Sequence, residues 1–384
     1  MTMIPPQATQ PAAEPKRYGV LDAYRFVAAA GVVLYHYEGH FQPYLAQPTH
    51  YLERLHLFVD FFFVLSGFVL MHTYGGKVVT LAAYASFMRK RLARIYPLHA
   101  VMTLAFAGLG LAALALHWQV RDPAALNPAA APAHLLLIHA WGIGLGPALN
   151  FQSWSISAEF FVYLLFPLLA AIVLRLGPPR ALLLAYGIGL AMTLARDALG
   201  LRPWEQTTFD FGNLRAVPSF LAGMAVQAFL AGRILPRIPF ALAHLAALAL
   251  MGLMLVHGDE LLIVALFPPL IALIAAAERS GATSAMGRGL WLHLGDASYG
   301  VYLIHTMVIM ASLVVMRKLG LTSPAALVAL ALTGTGAATL LAMASYRWFE
   351  NPARRFLGGT GKHAGARRPA ATPAAPQQSP QYPS

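Results

Sequence analysis

Long apolar runs separated by short polar segments make up most of the chain. Ten of these runs have about 18 to 22 residues, close to the length that a helix needs to cross the hydrocarbon core of a bilayer. The pattern therefore predicts an all-α integral membrane protein with about ten transmembrane helices. The ten runs cover residues 20–37, 56–74, 95–116, 154–175, 181–199, 213–231, 239–257, 260–277, 296–316 and 325–346.

The rest of the chain divides into one shorter apolar run and two polar tails. The run HLLLIHAWGIGLG, which begins at His134, is interrupted by glycines and is short for a span, so we expect it in or along the membrane surface. Residues 1–17 and 357–384 are rich in Pro and Ala and are predicted to be disordered cytoplasmic tails, the second of them basic. The transmembrane domain is predicted to occupy residues 18–356.

Composition supports the membrane assignment and excludes several kinds of chemistry. Hydrophobic residues make up 58% of the chain and charged residues only 11%, whereas soluble domains carry about 25% charged residues. The absence of cysteine excludes disulfides and thiolate nucleophiles. The net charge of +12 comes with few aromatic residues near the basic clusters, so we expect no nucleic-acid partner.

The distribution of Lys and Arg predicts the orientation in the membrane. If both termini are cytoplasmic and the chain crosses ten times, 19 of the 27 Lys and Arg residues fall in inner segments and 7 in outer segments. The remaining one, Arg25, lies within a predicted helix. Positive residues favour the cytoplasmic side, so the N- and C-termini are predicted to be cytoplasmic.

Arg25 and His36 stand at the two ends of a run of small apolar residues, RFVAAAGVVLYH, in the first predicted helix. Eleven positions at about 100° each bring His36 back to within about 20° of the face of Arg25. Asp22 lies close to the same stripe. Ionisable groups inside a membrane are costly and usually functional. The alternative is that Asp22 and Arg25 reach the inner interface and His36 the outer one.

The second predicted helix, HLFVDFFFVLSGFVL, carries Asp60 near its outer end and the small pair Ser66-Gly67 in its middle. Asp60 is a candidate substrate-binding residue because a carboxylate is costly within a membrane helix. For Ser66 and Gly67, close packing of helices is the simpler interpretation, since small residues allow backbones to approach. Ser66 is also a candidate contact to substrate.

The densest basic cluster is MRKRLARIYP, which we expect to be a cytoplasmic loop. Arg91 and Arg94 are three residues apart and would share a face if the segment were helical. A bias of positive charge toward the cytoplasm explains such a cluster equally well. The functional interpretation is a phosphate-binding site, because arginine binds phosphate with two hydrogen bonds.

The segment FQSWSISAEFFVYLLFP contains a glutamate, Glu159, among Phe, Val and Leu. Trp154 is expected to mark the outer interface, Ser155 shares the face of Glu159, and Tyr163 follows four residues later. Glu159 and His36 are predicted to lie at similar depth near the outer side. A histidine and a carboxylate there make a candidate general-base pair. A structural partnership of Glu159 with an arginine is the alternative.

Two further motifs lie near the C-terminus. In GDASYGVYLIH, Ser298, Tyr302 and His305 are predicted to share one helical face, with His305 near the middle of the membrane. In RWFENPARR, Glu350 and Arg354 are four residues apart just inside the inner face. That spacing is typical of an ordinary surface ion pair, which contributes little.

Together the motifs Arg25–x10–His36, FFFVLSGF, RKRLARIYP, WSISAEFFVY, SYGVYLIH and RWFENP resemble, in the same order, the acyltransferase 3 family of bacterial membrane proteins. The resemblance spans about residues 18 to 356. It implies ten transmembrane helices in the bacterial cytoplasmic (inner) membrane. It also implies transfer of an acyl group, usually acetyl, from cytoplasmic acyl-CoA to a hydroxyl of a cell-surface or exported carbohydrate.

The resemblance also implies roles for particular residues. His36 becomes the candidate catalytic residue, Arg25 belongs to the same motif, Arg91 and Arg94 fall on the basic motif, and Glu159 falls on the embedded acid. His36 would act as a general base or carry the acyl group transiently, with Glu159 orienting it. Candidate substrate contacts are Arg25, Arg91, Arg94, Asp60, Ser66, Tyr163, Ser298, Tyr302 and His305. We expect acyl-CoA as co-substrate, no bound cofactor and no metal, and the sequence specifies no oligomeric state.

Three other functions compete with an acyltransferase. A transporter or flippase would use Arg25, His36 and Glu159 as a proton or substrate pathway, but no internal repeat supports it. Another membrane-bound acyltransferase fold would act on lipids or proteins, and the ordered motifs argue against it. A structural or regulatory subunit leaves the embedded histidine and glutamate without a purpose.

Overall fold

The computed structural model describes residues 17–45, 47–118 and 123–359, and over these ranges the chain is helical and contains no strands. The two predicted tails lie almost entirely outside the described residues. The α-helices are α1 (Gly19–Phe41), α2 (Phe58–Tyr74), α3 (Leu81–Ala115), α4 (Ala131–Leu135), α5 (Trp154–Leu176), α6 (Pro178–Ala198), α7 (Gly212–Leu230), α8 (Phe240–Leu255), α9 (Glu260–Arg279), α10 (Leu290–Leu319), α11 (Pro324–Ser345) and α12 (Asn351–Gly358).

Each of the ten predicted apolar runs coincides with one long helix. Seven of the helical segments are long and apolar enough to cross a membrane, namely those containing α2, α3, α5, α6, α9, α10 and α11. The other long helices are α1, α7 and α8. Helix α8 has only 16 residues, and α7 is a central helix buried along most of its length, so that it has little need of a lipid-facing surface. We call the end of the bundle where α1 begins the terminal end and the opposite end the far end.

Helices α2 and α7 pack closely because each presents a glycine at the crossing. A Cβ atom on Gly67 would lie 2.0 Å from the carbonyl oxygen of Phe220, and one on Gly223 would lie 1.8 Å from the carbonyl oxygen of Val64. No side chain fits at either position, so the two backbones are in direct contact. This contact explains Gly67 of the Ser66-Gly67 pair as a packing residue.

The basic segment expected to be a loop is helical. Helix α3 begins at Leu81, where the hydroxyl of Thr80 caps it by accepting a hydrogen bond from the amide of Ala83. The helix therefore starts fourteen residues before the apolar run at 95–116. The hydropathy pattern does not predict the first part of α3 because that part contains polar residues. The N-cap threonine is nevertheless a recognised signal for the start of a helix. Arg91 and Arg94 consequently sit on a rigid element.

The segment between α3 and α5 folds into the bundle instead of lying only along a surface. His134 and His139 are buried, and so are Asn150 and Gln152. The amides of Asn150 and Gln152 donate hydrogen bonds to the carbonyl oxygen of Leu303, near the middle of α10, at 3.1 and 3.4 Å. Irregular backbone at membrane depth is tolerated where protein surrounds it, and these contacts supply that surrounding.

Glu350 and Arg354 do not form the predicted surface pair. Glu350 is only 3% exposed at the end of a wide helical turn that follows α11. It accepts a hydrogen bond from the hydroxyl of Ser345 at 3.0 Å, whereas Arg354 donates to the side chain of Asn351 at 3.3 Å. The widened turn rotates the glutamate inward, which a regular i to i+4 spacing cannot anticipate.

Candidate functional site

A cavity of about 160 Å³ lies in the half of the bundle toward the terminal end. We call it the arginine cavity because three arginines reach it from α1 and α3. Its walls also include apolar residues of α2 and polar residues of α5 and α10. The lining consists of Arg25, Val59, Phe62, Phe63, Leu65, Ser66, Val69, Leu70, Arg91, Arg94, Ile95, Ser155, Ile156, Glu159, Tyr163, Ser298, Tyr299 and Tyr302.

The three predicted arginines meet in this cavity, although they differ in their partners. Arg25 donates to the carboxylate of Asp22 at 3.0 Å. The guanidinium of Arg91 lies 5.3 Å from the ring centre of Tyr74, and that of Arg94 lies 5.5 Å from the ring centre of Tyr299. Neither forms an ion pair with a carboxylate among the described residues. Two guanidinium groups that form no ion pair beside a cavity favour the binding of an anion such as a phosphate, although the carboxylate of Glu159 lines the same cavity.

Glu159 lies in the arginine cavity and is held there by two hydroxyl groups. Ser66 of α2 donates to it at 2.8 Å, and Tyr163, one turn later on α5, donates to the same oxygen at 2.5 Å. The hydrogen bond from Ser66 joins α2 to α5. Ser298 also lines the cavity, and its hydroxyl donates to the backbone oxygen of Gly295 at 2.8 Å. Glu159, Ser66, Tyr163 and Ser298 are thus brought together as one wall.

A second cavity, of about 330 Å³, lies toward the far end. We call it the histidine cavity because His36 lines it. Aromatic rings and hydrogen-bonding side chains alternate around it. The lining consists of Val32, Tyr35, His36, Glu53, His56, Val59, Pro147, Phe151, Trp154, Arg202, Gln206, Thr208, Phe209, Arg215 and Tyr302.

The structure does not bring His36 and Glu159 together. The ring of His36 stacks on that of His305, with 5.2 Å between ring centres and 18° between planes, and meets Phe151 edge to face at 5.1 Å. Glu159 belongs to the other cavity. Their depths were inferred from sequence position, but the direction in which each helix turns its face cannot be read from depth. The predicted general-base pair is therefore wrong as a direct contact.

His305 is a neighbour of His36 and lines neither cavity. It is fully buried on α10, and its Nδ1 lies 3.3 Å from the carbonyl oxygen of Val301, one turn earlier. Its Nε2 has no hydrogen-bond partner within the described ranges. His305 thus supports the ring of His36, and its role as a substrate contact stays a prediction. Tyr302, another predicted substrate contact, lies beside His305 and contributes to the walls of both cavities.

Asp60 is occupied by an arginine and does not line either cavity. Arg215 of α7 donates to both carboxylate oxygens of Asp60, at 3.1 and 2.5 Å, and to the carbonyl oxygen of Thr207 at 3.2 Å. The guanidinium also lies over the ring of Trp154 at 5.1 Å. Asp60 therefore positions Arg215, which does line the histidine cavity. Trp154 is 6% exposed and does not mark a lipid interface.

Sequence reasoning missed Arg215 because it falls at the outer edge of the predicted run 213–231, where an arginine can be assigned to the outer segment. A signal existed in Asp60 itself, since a carboxylate within a membrane helix requires a positive partner. His56 also lines the histidine cavity, where it lies 3.6 Å from the carboxylate of Glu260.

A stack of buried histidines lies beside the segment that enters the bundle. The rings of His134 and His139 are parallel with centres 3.8 Å apart, and His99 of α3 stacks on His139 at 5.8 Å. The hydroxyl of Ser153 lies within 3.3 Å of both His134 and His139. Burial lowers the pKa of His134 to about 3, so the ring is neutral at pH 7. Among the described residues no group of His, Asp or Glu side chains has an arrangement that could hold a metal ion.

Comparison with known proteins supplies independent evidence on the family. A family model described as "Acyltransferase domain" matches residues 18–347, which confirms the predicted resemblance. The "Exopolysaccharide production protein ExoZ" of Rhizobium meliloti (strain 1021) is 29% identical over 317 residues, which cover 78% of this chain and 92% of the relative.

Two other curated relatives are similar to the chain. The "Acyltransferase MdmB" of Streptomyces mycarofaciens is 28% identical over 338 residues, which cover 82% of this chain and 83% of the relative. The "Protein 2 in picA locus" of Rhizobium radiobacter is 41% identical over 92 residues, which cover 24% of this chain and 44% of the relative. No solved structure gives a significant match.

Proposed function

Since the chain belongs to the acyltransferase family whose model it matches over residues 18–347, we propose that it transfers an acyl group, expected to be acetyl, from cytoplasmic acyl-CoA to a hydroxyl of a cell-surface or exported carbohydrate. The family makes it a multi-pass membrane acyltransferase; the donor, the acceptor and a place in the bacterial inner membrane belong to the proposal. The observation that carries it is the pair of cavities, which share Val59 and Tyr302. One contains Arg91 and Arg94, which form no ion pair among the described residues, and the other contains His36.

The arginine cavity suits the donor. Coenzyme A carries several phosphates, and Arg91 and Arg94 offer guanidinium groups without carboxylate partners among the described residues. Phosphate is bound by arginine through two charge-assisted hydrogen bonds. The apolar side chains of α2 that line the same cavity suit the flexible arm that carries the thioester. The donor then points its acyl group toward Tyr302 and the histidine cavity.

In this proposal His36 acts as the general base. Its neutral imidazole takes the proton of the acceptor hydroxyl while that oxygen attacks the thioester carbonyl carbon. The new C–O bond forms as the C–S bond breaks, and the proton returns from His36 to the departing sulfur, so that the products are the ester and free coenzyme A. Such assistance supplies roughly 10²–10⁴-fold in rate, and the stacked ring of His305 holds the imidazole in place.

The histidine cavity suits a carbohydrate acceptor. Tyr35, Phe151 and Trp154 provide flat apolar surfaces, and Gln206 and Thr208 provide hydrogen-bonding groups for hydroxyls. Cavities of this kind combine aromatic walls with a few fixed polar groups. The name of the Rhizobium meliloti relative, an exopolysaccharide production protein, supports a polysaccharide or a precursor of one.

The test uses purified protein in detergent with radiolabelled acetyl-CoA. We expect Arg91→Ala to weaken acetyl-CoA binding by at least about tenfold, because a charge-assisted contact is lost. His36→Ala is expected to keep binding and to lose about 10²–10⁴-fold in acetyl turnover. The matched control is Arg180→Ala, which removes an exposed arginine at the start of α6. Normal turnover by a stably folded His36→Ala variant would contradict the proposal.

A further inference from the structure

The two cavities are separated by a thin wall of side chains. Val59 of α2 and Tyr302 of α10 line both cavities, although each is only 5% exposed. Phe62, one turn after Val59, lines the arginine cavity and meets the ring of Tyr302 edge to face, with 6.0 Å between ring centres. Because Val59 and Tyr302 border both cavities and are almost fully buried, their side chains fill the passage between the cavities.

Tyr302 is fixed in this wall by two hydrogen bonds. Its hydroxyl donates to the carbonyl oxygen of Gln152 at 2.9 Å and accepts from the hydroxyl of Ser155 at 2.8 Å. Its ring also meets that of His305 at 5.9 Å, and His305 stacks on His36. The ring of Tyr302, which closes the passage, is therefore in contact with His36, the proposed base, through the ring of His305. Displacing it breaks two buried hydrogen bonds, which costs more than moving a free side chain.

The proposed transfer requires the acyl group to lie at this wall. The phosphates of the donor stay with the arginines of one cavity, and the acceptor hydroxyl meets His36 in the other. The thioester carbonyl must therefore lie between the two cavities, within reach of the acceptor hydroxyl. Val59 and Tyr302 occupy the wall at that position. Every methylene that is added to the acyl group must find room beside a packed ring, and overpacking of this kind is unfavourable.

We propose, resting on the function proposed above, that Tyr302 is a specificity-determining residue that limits the acyl group delivered to His36 to a short one. Val59 forms the opposite side of the passage, and Ser155 and Gln152 hold the tyrosine in its closing position. The wild-type protein then prefers acetyl over longer acyl groups, and the preference depends on the volume of the ring more than on its hydroxyl.

The experiment measures kcat/KM for acetyl-, butyryl- and octanoyl-CoA with one carbohydrate acceptor. Relative to wild type, Tyr302→Ala is expected to raise the ratio of butyryl to acetyl transfer at least about tenfold, the scale on which a pocket discriminates by methylene groups. Tyr302→Phe keeps the ring and is expected to shift the ratio less. Val59→Ala enlarges the passage from the other side and is expected to shift it in the same direction as Tyr302→Ala. The matched control is Tyr186→Ala, which removes a half-buried tyrosine of α6 that lines neither cavity.

The outcomes separate this inference from the function beneath it. If the wild type transfers acetyl but Tyr302→Ala and Val59→Ala both keep its acyl preference, the specificity role is overturned and the acyltransferase proposal stands. If Tyr302→Ala does not fold, Val59→Ala still gives the answer, because it removes only two methyl groups. If the wild type transfers no acyl group from any of the three donors, both proposals fail together.

Discussion

Glu205 is a carboxylic acid that the fold buries at the far end of the bundle. It lies on the short turn Trp204–Gln206 between α6 and α7 and is 2% exposed. Burial is the main cause that raises its pKa to about 7, with Asp60 and Glu260 acting in the same direction and Arg215 against them. A carboxyl whose pKa is higher in the folded than in the unfolded chain contributes stability at low pH. That contribution is lost as the pH rises from about 4.5 to about 7.

We therefore expect Glu205→Gln to stabilise the protein at pH 8 much more than at pH 4. The amide has nearly the same shape and carries no charge, so the variant avoids the cost of a buried carboxylate, roughly 3 kcal/mol at pH 8 for a pKa that rises from 4.5 to about 7. Thermal unfolding in detergent at the two pH values measures the difference from wild type. Asp197→Asn, which neutralises an exposed carboxylate on α6, is the control. An equal effect of Glu205→Gln at both pH values would argue against the raised pKa.

The sequence predicted which residues belong to the site and their approximate depth, but not the direction in which their side chains point. Arg25, Arg91 and Arg94 were expected at one end, and they do meet in one cavity because their ends of α1 and α3 adjoin it. His36 and Glu159 were expected to be partners, yet they face different cavities. The face that a helix turns toward a neighbour depends on the packing of the whole bundle, which one sequence does not specify.

At the scale of elements, the pair of Asp60 and Arg215 connects α2 to α7. Both side chains are almost completely buried and the contact is bidentate. Removing one partner of such a pair leaves a buried charge uncompensated, which costs about 3–5 kcal/mol. We expect Asp60→Ala to lower the unfolding temperature strongly, and the double variant Asp60→Ala/Arg215→Met to recover much of the loss.

A double-mutant cycle in detergent, followed by thermal unfolding, tests this expectation. The control pair is Asp210 with Arg202, which is joined at 3.0 Å but largely exposed. Exposed pairs contribute about 0–1 kcal/mol, so Asp210→Ala should change little. If Asp60→Ala and Asp210→Ala have equal effects, or if Arg215→Met gives no recovery, the buried pair does not hold the two helices together.

The sequence predicted the long helices more completely than it predicted the fold of segment 123–153, which packs inside the bundle. Runs of about 20 apolar residues are unambiguous in a chain with so few charges, so all ten long helices were expected. The start of α3 was hidden because Arg89, Lys90 and Arg91 interrupt the apolar pattern. Segment 123–153 was hidden for a different reason, because its contacts with Leu303 and His99 lie far away in sequence.

At the scale of the whole molecule, the two cavities lie on opposite sides of one wall. The orientation in the membrane therefore decides which cavity can be reached from the cytoplasm. The arginine cavity lies toward the terminal end, which the proposed function requires to face the cytoplasm, because the proposed acyl-CoA donor is cytoplasmic and the bias of positive residues favours that side. The histidine cavity lies toward the far end, from which an exported acceptor would enter. The proposed direction of transfer is consistent only with this orientation, which makes the orientation worth a separate measurement.

The natural absence of cysteine allows that measurement without background. Tyr51→Cys places a thiol on an exposed loop at the far end, where the tyrosine is 69% exposed, and Lys77→Cys places one on the exposed loop between α2 and α3 at the terminal end. With a membrane-impermeant maleimide, we expect right-side-out vesicles to label only the thiol at position 51 and inverted vesicles only that at position 77. The cysteine-free wild type is the control in both preparations. The reverse pattern would place the arginine cavity on the outside and remove the donor from its reach, and labelling of both positions from one side would show that α2 does not cross the membrane.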